Sequence, residues 1–231
     1  MQFFKHLFQS SQTLSSSDFE KMCQNAEILE QDERGIKVVR LPSGDILKVF
    51  RVKRLISGTN IYSYARRFCR NAIRLHKLAI PTVQIKTLYH FEDSHNTAVL
   101  YSPLAGKTIR QLIHENTINP NLAEKIGIFL ANLHSKGVHF HSLHTGNVVQ
   151  MPDGNLGLID ISDMSVYAWP LFCNTRIRSF KRWCKYQDDM NALGKKFWAS
   201  LQTSYFAESD LSQACTQKIK QANSQLIVWL S

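Results

Sequence analysis

Residues 137–164, GVHFHSLHTGNVVQMPDGNLGLIDISDM, decide how the rest of the chain is read. A loop dense in hydrogen-bonding side chains leads into VVQM, then Pro152-Asp153-Gly154-Asn155, then LGLI, and the run ends on Asp160. Two short apolar runs on either side of a Pro/Asp/Gly/Asn turn read as a hairpin. Asn147 and Asp160, thirteen residues apart, then stand at its two ends. An amide oxygen held beside a carboxylate is what a divalent cation on a nucleotide phosphate requires, because such a cation takes hard oxygen ligands and shares them with phosphate.

Working upstream, Leu122, Ile126, Phe129, Leu130 and Leu133 form one stripe of a helix over about 120–136, stopped by Gly137. A shorter helix is expected over 108–116. Pro103-Leu104-Ala105-Gly106 is a break in the architecture, mostly strands before it and mostly helices after. The expected organisation is therefore a lead-in with a short helix (1–25), a strand-rich lobe (26–103) and a helical lobe (104–231). Residues 10–17 are Ser-rich and read as a mobile lead-in, with Ser17-Asp18-Phe19-Glu20 as a capping box that starts the short helix. EILEQ, IKVVRL and DILKVFRV read as three antiparallel strands, VQIKTLYHF and TAVLYS as two more. In the third, Lys48 shares a face with Ile46 and Phe50, and a lysine on an apolar face calls for an anion. Between the third and fourth strands, Ile61, Ala65, Phe68, Ala72, Leu75 and Ala79 recur at helical spacing, with a basic outer side. Downstream of the hairpin, SVYAWPLFCNT is irregular, 176–202 is one or two helices, and 210–230 is a terminal helix.

The 231 residues suffice for a large core, and no apolar run reaches the length of a membrane span. Lys and Arg outnumber Asp and Glu 28 to 18 and cluster at 51–74 and 176–185, which favours an anionic partner. Nucleic acid is disfavoured, because no stacking aromatics line a basic strand face. The five scattered cysteines contain no C-x-x-C pair and read as reduced core thiols, hence a cytoplasmic protein. The N-terminus lacks the layout of a secretion signal; its Phe3, Phe4, Leu7 and Phe8 would allow peripheral membrane contact.

The order strand lysine, helix, linker, helix, polar loop with Asn, hairpin, Asp resembles the protein-kinase-like superfamily. DILKVF resembles the strand with the phosphate-binding lysine, HFHSLHTGN the catalytic loop, and DIS the metal-binding D-F-G segment. KVFRVKRL, the IPT after the helix, and SLHTGNVV with LGLIDI are most similar to bacterial lipopolysaccharide core kinases and their small toluene-tolerance-type relatives. The resemblance spans about residues 26–200. It implies an α+β, two-lobed fold with an antiparallel sheet plus one helix in the N-lobe. It also implies ATP and Mg²⁺ as cofactors, Lys48, Asn71 and Tyr101 on the nucleotide, and Asn147 and Asp160 on the metal. The implied acceptor is an anionic saccharide or lipid-linked substrate, at the inner face of the membrane.

The departures are specific. Ser142 occupies the position of the catalytic aspartate, Asn71 that of the helix glutamate that pairs with the strand lysine, and Asp32-Glu33-Arg34-Gly35 replaces a glycine-rich phosphate loop. A serine hydroxyl orients an acceptor but supplies no carboxylate base, a loss worth about 10²–10⁴-fold. The chain thus reads as a slow kinase or as a pseudokinase that binds nucleotide or a partner. His141, His144 and Asp163 are substitute bases. His139, His141 and His144 alternatively form a transition-metal set, although the preferred reading has them bonding loop backbone. Asn71 reads equally well as the polar flank of its helix. Asp188 and Asp189 read as a solvated acidic pair, the alternative being an anchor beneath the loop. No A-P-E-like segment follows Asp163, which favours a small or saccharide acceptor over a protein.

Overall fold

Alternating apolar side chains build the strands of the first of two units, Met1–Leu104 and Ala105–Ser231. The computed structural model describes residues 11–51 and 64–226. In the first unit these strands are β1 (Gln12–Leu14), β2 (Glu27–Asp32), β3 (Gly35–Arg40), β4 (Ile46–Phe50), β5 (Gln84–Phe91) and β6 (Thr97–Ser102). They form one sheet in the order β1-β5-β6-β4-β3-β2. Pairing is antiparallel from β5 to β2, whereas β1 runs parallel to β5 with Leu14 opposite Phe91. The sheet is mixed, not wholly antiparallel as expected.

Two helices cover this sheet, one on each face. Val39, Leu47, Val49 and Ala98 form a buried cluster against Phe19, Met22 and Cys23 of α1 (Ser16–Cys23). Each buried Val or Leu of this cluster contributes about 1.5–3 kcal/mol. On the opposite face, α2 (Tyr64–Lys77) inserts Phe68, whose ring lies 5.8 Å from Phe50 and 5.2 Å from Tyr101. From residue 11 on, the Ser-rich lead-in is therefore structured. Leu14 is buried, and Ser15, not Ser17, caps α1 by accepting from the Asp18 N–H at 3.1 Å. A three-residue strand between serines carries too little periodicity to be read locally; pairing along the edge of β5 creates it. Ala65, Phe68, Ala72 and Leu75 face the core as expected. Ala79 instead adopts φ +53° just past the helix, which closes with an Ile80 N–H to Leu75 carbonyl bond of 2.9 Å. The expected helix start at 60–63 and most of the 51–54 cluster fall outside the described residues.

The second unit contains α3 (Ile109–His114), α4 (Leu122–Ser135), α5 (Cys173–Trp183), α6 (Gln187–Glu208) and α7 (Gln213–Leu226), with five short strands between and before them. Gly127 of α4 lies so close to α6 that a Cβ there would fall 2.3 Å from the Leu201 carbonyl oxygen. Around that crossing Phe180, Trp183, Trp198 and Tyr205 form a buried aromatic core. Tyr205 Oη is 2.9 Å from His134 Nδ1 and accepts from Arg176 Nη1 at 3.1 Å, while Arg176 Nε donates to the Leu171 carbonyl at 2.8 Å. Burial pushes His134 well below the usual histidine range, so the ring stays neutral beside Arg176. Arg176, read from sequence as part of a basic surface cluster, is instead a core residue.

The cysteine expectation is corrected. Cys173 and Cys215, 42 residues apart, are disulfide-bonded with Cα atoms 5.7 Å apart, tying α5 to α7. Cys23, Cys69 and Cys184 remain thiols. Disulfides persist in oxidising surroundings, so the thiol argument for a cytoplasmic location falls away. Among the described residues no helix is long and apolar enough to cross a membrane.

Candidate functional site

Two strand ladders hold the polar loop 141–147 in place. On one side β8 (Val138–Phe140) pairs antiparallel with β11 (Met164–Val166). The segment read as irregular thus begins as a strand. On the other side β9 (Val148–Gln150) pairs with β10 (Leu156–Leu158) and with β7 (Lys107–Thr108). The expected hairpin is present, turned by Gly154 at φ +80°. Its open end is closed by the Ile159 N–H bonding the Asn147 carbonyl at 3.1 Å. This bond places Asn147 and Asp160 at one end of the ladder, and Asp160 takes φ +51° as the chain leaves the strand. Aspartate tolerates that left-handed conformation better than most residues.

Within the loop, side chains divide between core and cavity. Leu143 and Thr145 point inward and are buried, at 2% and 0% exposure. The Thr145 hydroxyl donates to Asp189 Oδ2. The same oxygen accepts Arg110 Nε at 2.9 Å and Nη2 at 2.8 Å, and the Arg110 N–H donates to the Thr145 carbonyl at 3.1 Å. Arg110 also stacks 4.3 Å over the Tyr186 ring. Asp189 is therefore a buried anchor beneath the loop, correcting the preferred reading of a solvated pair; Asp188, its neighbour, is exposed. No sequence pattern distinguishes the two, since only the partner Arg110, 79 positions upstream, decides which is buried.

His141, Ser142, His144, Asn147 and Asp160 all line one cavity of about 300 Å³. Asn147 Nδ2 donates to the Ser142 carbonyl at 2.8 Å. This bond ties the two ends of the loop and uses the amide nitrogen, not the amide oxygen. The Ser142 hydroxyl has no hydrogen-bond partner among the described residues, and Ser142 lines the cavity. His141 Nε2 is 3.1 Å from Ser165 Oγ. His144 Nδ1 accepts the Gly146 N–H at 3.1 Å, so that nitrogen carries no proton. Burial, then Arg110 and Lys185, hold His144 below the usual histidine range, consistent with a neutral ring. Asp163 lines the same cavity, and its carbonyl accepts the His141 N–H at 3.0 Å.

Three lining residues, Arg182, Lys185 and Tyr186, come from α5 and the turn after it. The basic run was visible in the sequence as a cluster that favours an anionic partner. Tyr186 had no signal, because its place depends on stacking with Arg110 and on the His144 ring 5.0 Å away.

Lys48, Asn71 and Tyr101 belong to the first unit. Lys48 Nζ lies 5.6 Å from the Phe50 ring and 5.9 Å from Phe68, within reach of cation–π attraction. Tyr101 packs on the same Phe68, and Asn71, one turn further along α2, is fully buried. The β2–β3 turn spans only Glu33 and Arg34 and is braced by Arg51, which reaches Asp32 at 2.5 Å and the Ile36 carbonyl at 2.6 Å.

Asn147 and Asp160 offer two oxygen ligands, which suits Mg²⁺, since that ion keeps several waters and takes the rest of its shell from phosphate. A three-histidine metal centre does not form. His139 sits buried on β8, its ring 4.2 Å from His141, and among the described residues no group of three or more His, Cys, Asp or Glu is placed to hold a metal. No protein-family model matches the chain, and no curated protein matches it in sequence.

Proposed function

We propose that the chain is a divergent ATP- and Mg²⁺-dependent phosphotransferase of two-lobed, protein-kinase-like architecture, acting on an anionic saccharide or another small acidic acceptor. The observation that carries this reading is the cavity itself. It gathers an amide and a carboxylate suited to a phosphate-bound cation, an unbonded serine hydroxyl, and two cations, Arg182 and Lys185, on its wall. Mg²⁺ held by Asn147 and Asp160 would neutralise charge on the phosphate oxygens. Ser142 orients the acceptor hydroxyl. His144, kept neutral with Nδ1 taken by the Gly146 N–H, carries its proton on Nε2 and would donate a hydrogen bond rather than act as the base. Arg182 and Lys185 meet the acceptor's negative charge, and Lys48 is the phosphate-binding lysine of the first unit. The accompanying expectation, a cytoplasmic protein at the inner face of the membrane, rests on the family resemblance alone, since the Cys173–Cys215 disulfide removes the thiol argument.

The absence of an aspartate at Ser142 favours a second reading, a pseudokinase that binds nucleotide without turnover. Thermal unfolding with Mg-ATP, read alongside phosphate transfer, separates the two. Ligand at a hundred times its Kd stabilises by about 2.7 kcal/mol. Under the first reading this shift accompanies phosphate transfer to an acidic core oligosaccharide, Asp160→Ala abolishes both, and Ser142→Asp raises kcat by about 10²–10⁴-fold. A shift without turnover in either protein establishes the pseudokinase reading. No shift and no turnover refute both.

A further inference from the structure

Between Met164 and Gln187 the chain contains no Asp or Glu. Arg178, Lys181, Arg182 and Lys185 recur there at i, i+3, i+4 and i+7, on α5 and the turn that closes it, and all four are exposed. That spacing puts them in one row. At the other end of α5, Phe172, its N-cap residue, is 72% exposed, Trp169 is 52% and Tyr167 is 39%. Large aromatics standing this far into water are unusual in number for so short a segment.

Nor is this segment a loose loop. The Tyr167 N–H bonds the Gly137 carbonyl at 2.9 Å, and the Leu171 N–H bonds the His134 carbonyl at 2.8 Å. The Tyr167 and Trp169 carbonyl oxygens press on Gly137 so closely that a Cβ there would meet them at 2.4 and 2.5 Å. Leu171 is buried between the exposed aromatics. The fold thus pins the backbone and holds the rings outward.

We propose that this strip is a membrane-docking surface for an anionic bilayer, with Trp169, Phe172 and Tyr167 at headgroup depth and the cation row on the lipid phosphates. The Trp169 and Tyr167 rings, each with a polar edge, favour that depth, Phe172 adds apolar area beside them, and the neighbouring basic side chains are drawn to acidic headgroups. Nucleic acid fits less well: single-strand binding surfaces interleave cations with stacking rings, whereas here the rings cluster at one end and the cations run along the helix. Arg182 and Lys185 also line the cavity, so the strip ends at its mouth. Docking then brings a bilayer-borne acceptor to Ser142. That last consequence rests on the phosphotransferase reading; docking itself does not.

The test is co-sedimentation of the full chain with vesicles of phosphatidylcholine alone or mixed with phosphatidylglycerol, read alongside tryptophan emission. Binding is expected to the mixed vesicles only, with a blue shift that, in a Trp229→Phe background, Trp169→Phe removes, since Trp183 and Trp198 are already buried. Each cation near an anionic surface contributes about a five-fold factor, so R178E/K181E is expected to weaken binding by at least about thirty-fold. W169S/F172S is expected to weaken it by more than about ten-fold. All four positions are exposed and outside the cavity, so unchanged thermal unfolding certifies the folds. Three results overturn the proposal: no binding to mixed vesicles, binding indifferent to Trp169 and Phe172, or single-stranded nucleic acid displacing the vesicles. Failure of the phosphotransferase reading alone would leave vesicle binding intact with no ATP turnover. Failure of docking alone would leave transfer to a soluble acceptor intact without vesicle binding.

Discussion

Asp189→Asn removes a charge while keeping the shape and one acceptor oxygen, and so tests whether the loop that carries Ser142 and Asn147 is held from below by an ion pair. One oxygen of Asp189 accepts from Arg110 Nε, Arg110 Nη2 and the Thr145 hydroxyl. Breaking a buried pair from one side costs about 3–5 kcal/mol. The Asp189 side chain is 8% exposed but that of Arg110 is 30% exposed and stacked on Tyr186, so water and the ring recover part of the arginine's solvation. The expected loss is about 2–3 kcal/mol. All four tryptophans lie in the second unit, so urea unfolding followed by their fluorescence reports that unit. The midpoint should fall by about 1 M, given an m-value of about 2 kcal/mol/M. Asp188→Asn, an exposed control, should stay within about 0.5 kcal/mol of wild type. A cycle with Arg110→Gln should yield a coupling of about 1–2 kcal/mol. If Asp189→Asn costs no more than Asp188→Asn, or the coupling is under about 0.5 kcal/mol, the anchor does not exist as described. Under the phosphotransferase reading the same variant should also shrink the Mg-ATP thermal shift, because Thr145 lies between His144 and Asn147.

Two further outcomes follow from packing and burial. Burial, then His141, Arg178 and Arg182, lower His139 to about 4, so between that value and the usual 6.5 the unfolded chain binds a proton the folded chain refuses. Stability of the second unit should therefore fall as pH drops from about 6.5 toward 4, with His134 and His144 acting in the same direction; His139→Gln should make this slope shallower in urea titrations, and an unchanged slope would show that other groups set it. Helix propensity alone predicts that Gly127→Ala stabilises by about 0.5–1 kcal/mol. The 2.3 Å approach of its Cβ to the Leu201 carbonyl predicts a loss of more than about 2 kcal/mol, and a rise in the thermal midpoint would refute the close crossing of α4 and α6.

Most secondary structure was legible because its causes are local. The turn at 152–155, the stripe on 122–133, the alternation in 36–50 and the stop at Gly137 each depend on residues within a few positions of one another. The same locality made Ser142, Asn147 and Asp160 legible as a group: a hairpin fixes its two ends together whatever surrounds it, and Ser142 precedes Asn147 by five residues. Wherever an outcome depended on a distant partner, sequence offered no means of choosing. Asp188 and Asp189 are chemically identical, yet Arg110 buries one. Arg176 and Arg178 are both arginines of one helix, yet Tyr205 and the Leu171 carbonyl draw the first into the core and leave the second in water. Cys173 meets Cys215 only because α5 lies beside α7, and β1 is a strand only because β5 has a free edge. Local stereochemistry sets which elements form. Burial of a charge, a thiol or a backbone edge depends on what desolvates it and what bonds it there, and those partners are assembled only by the tertiary fold.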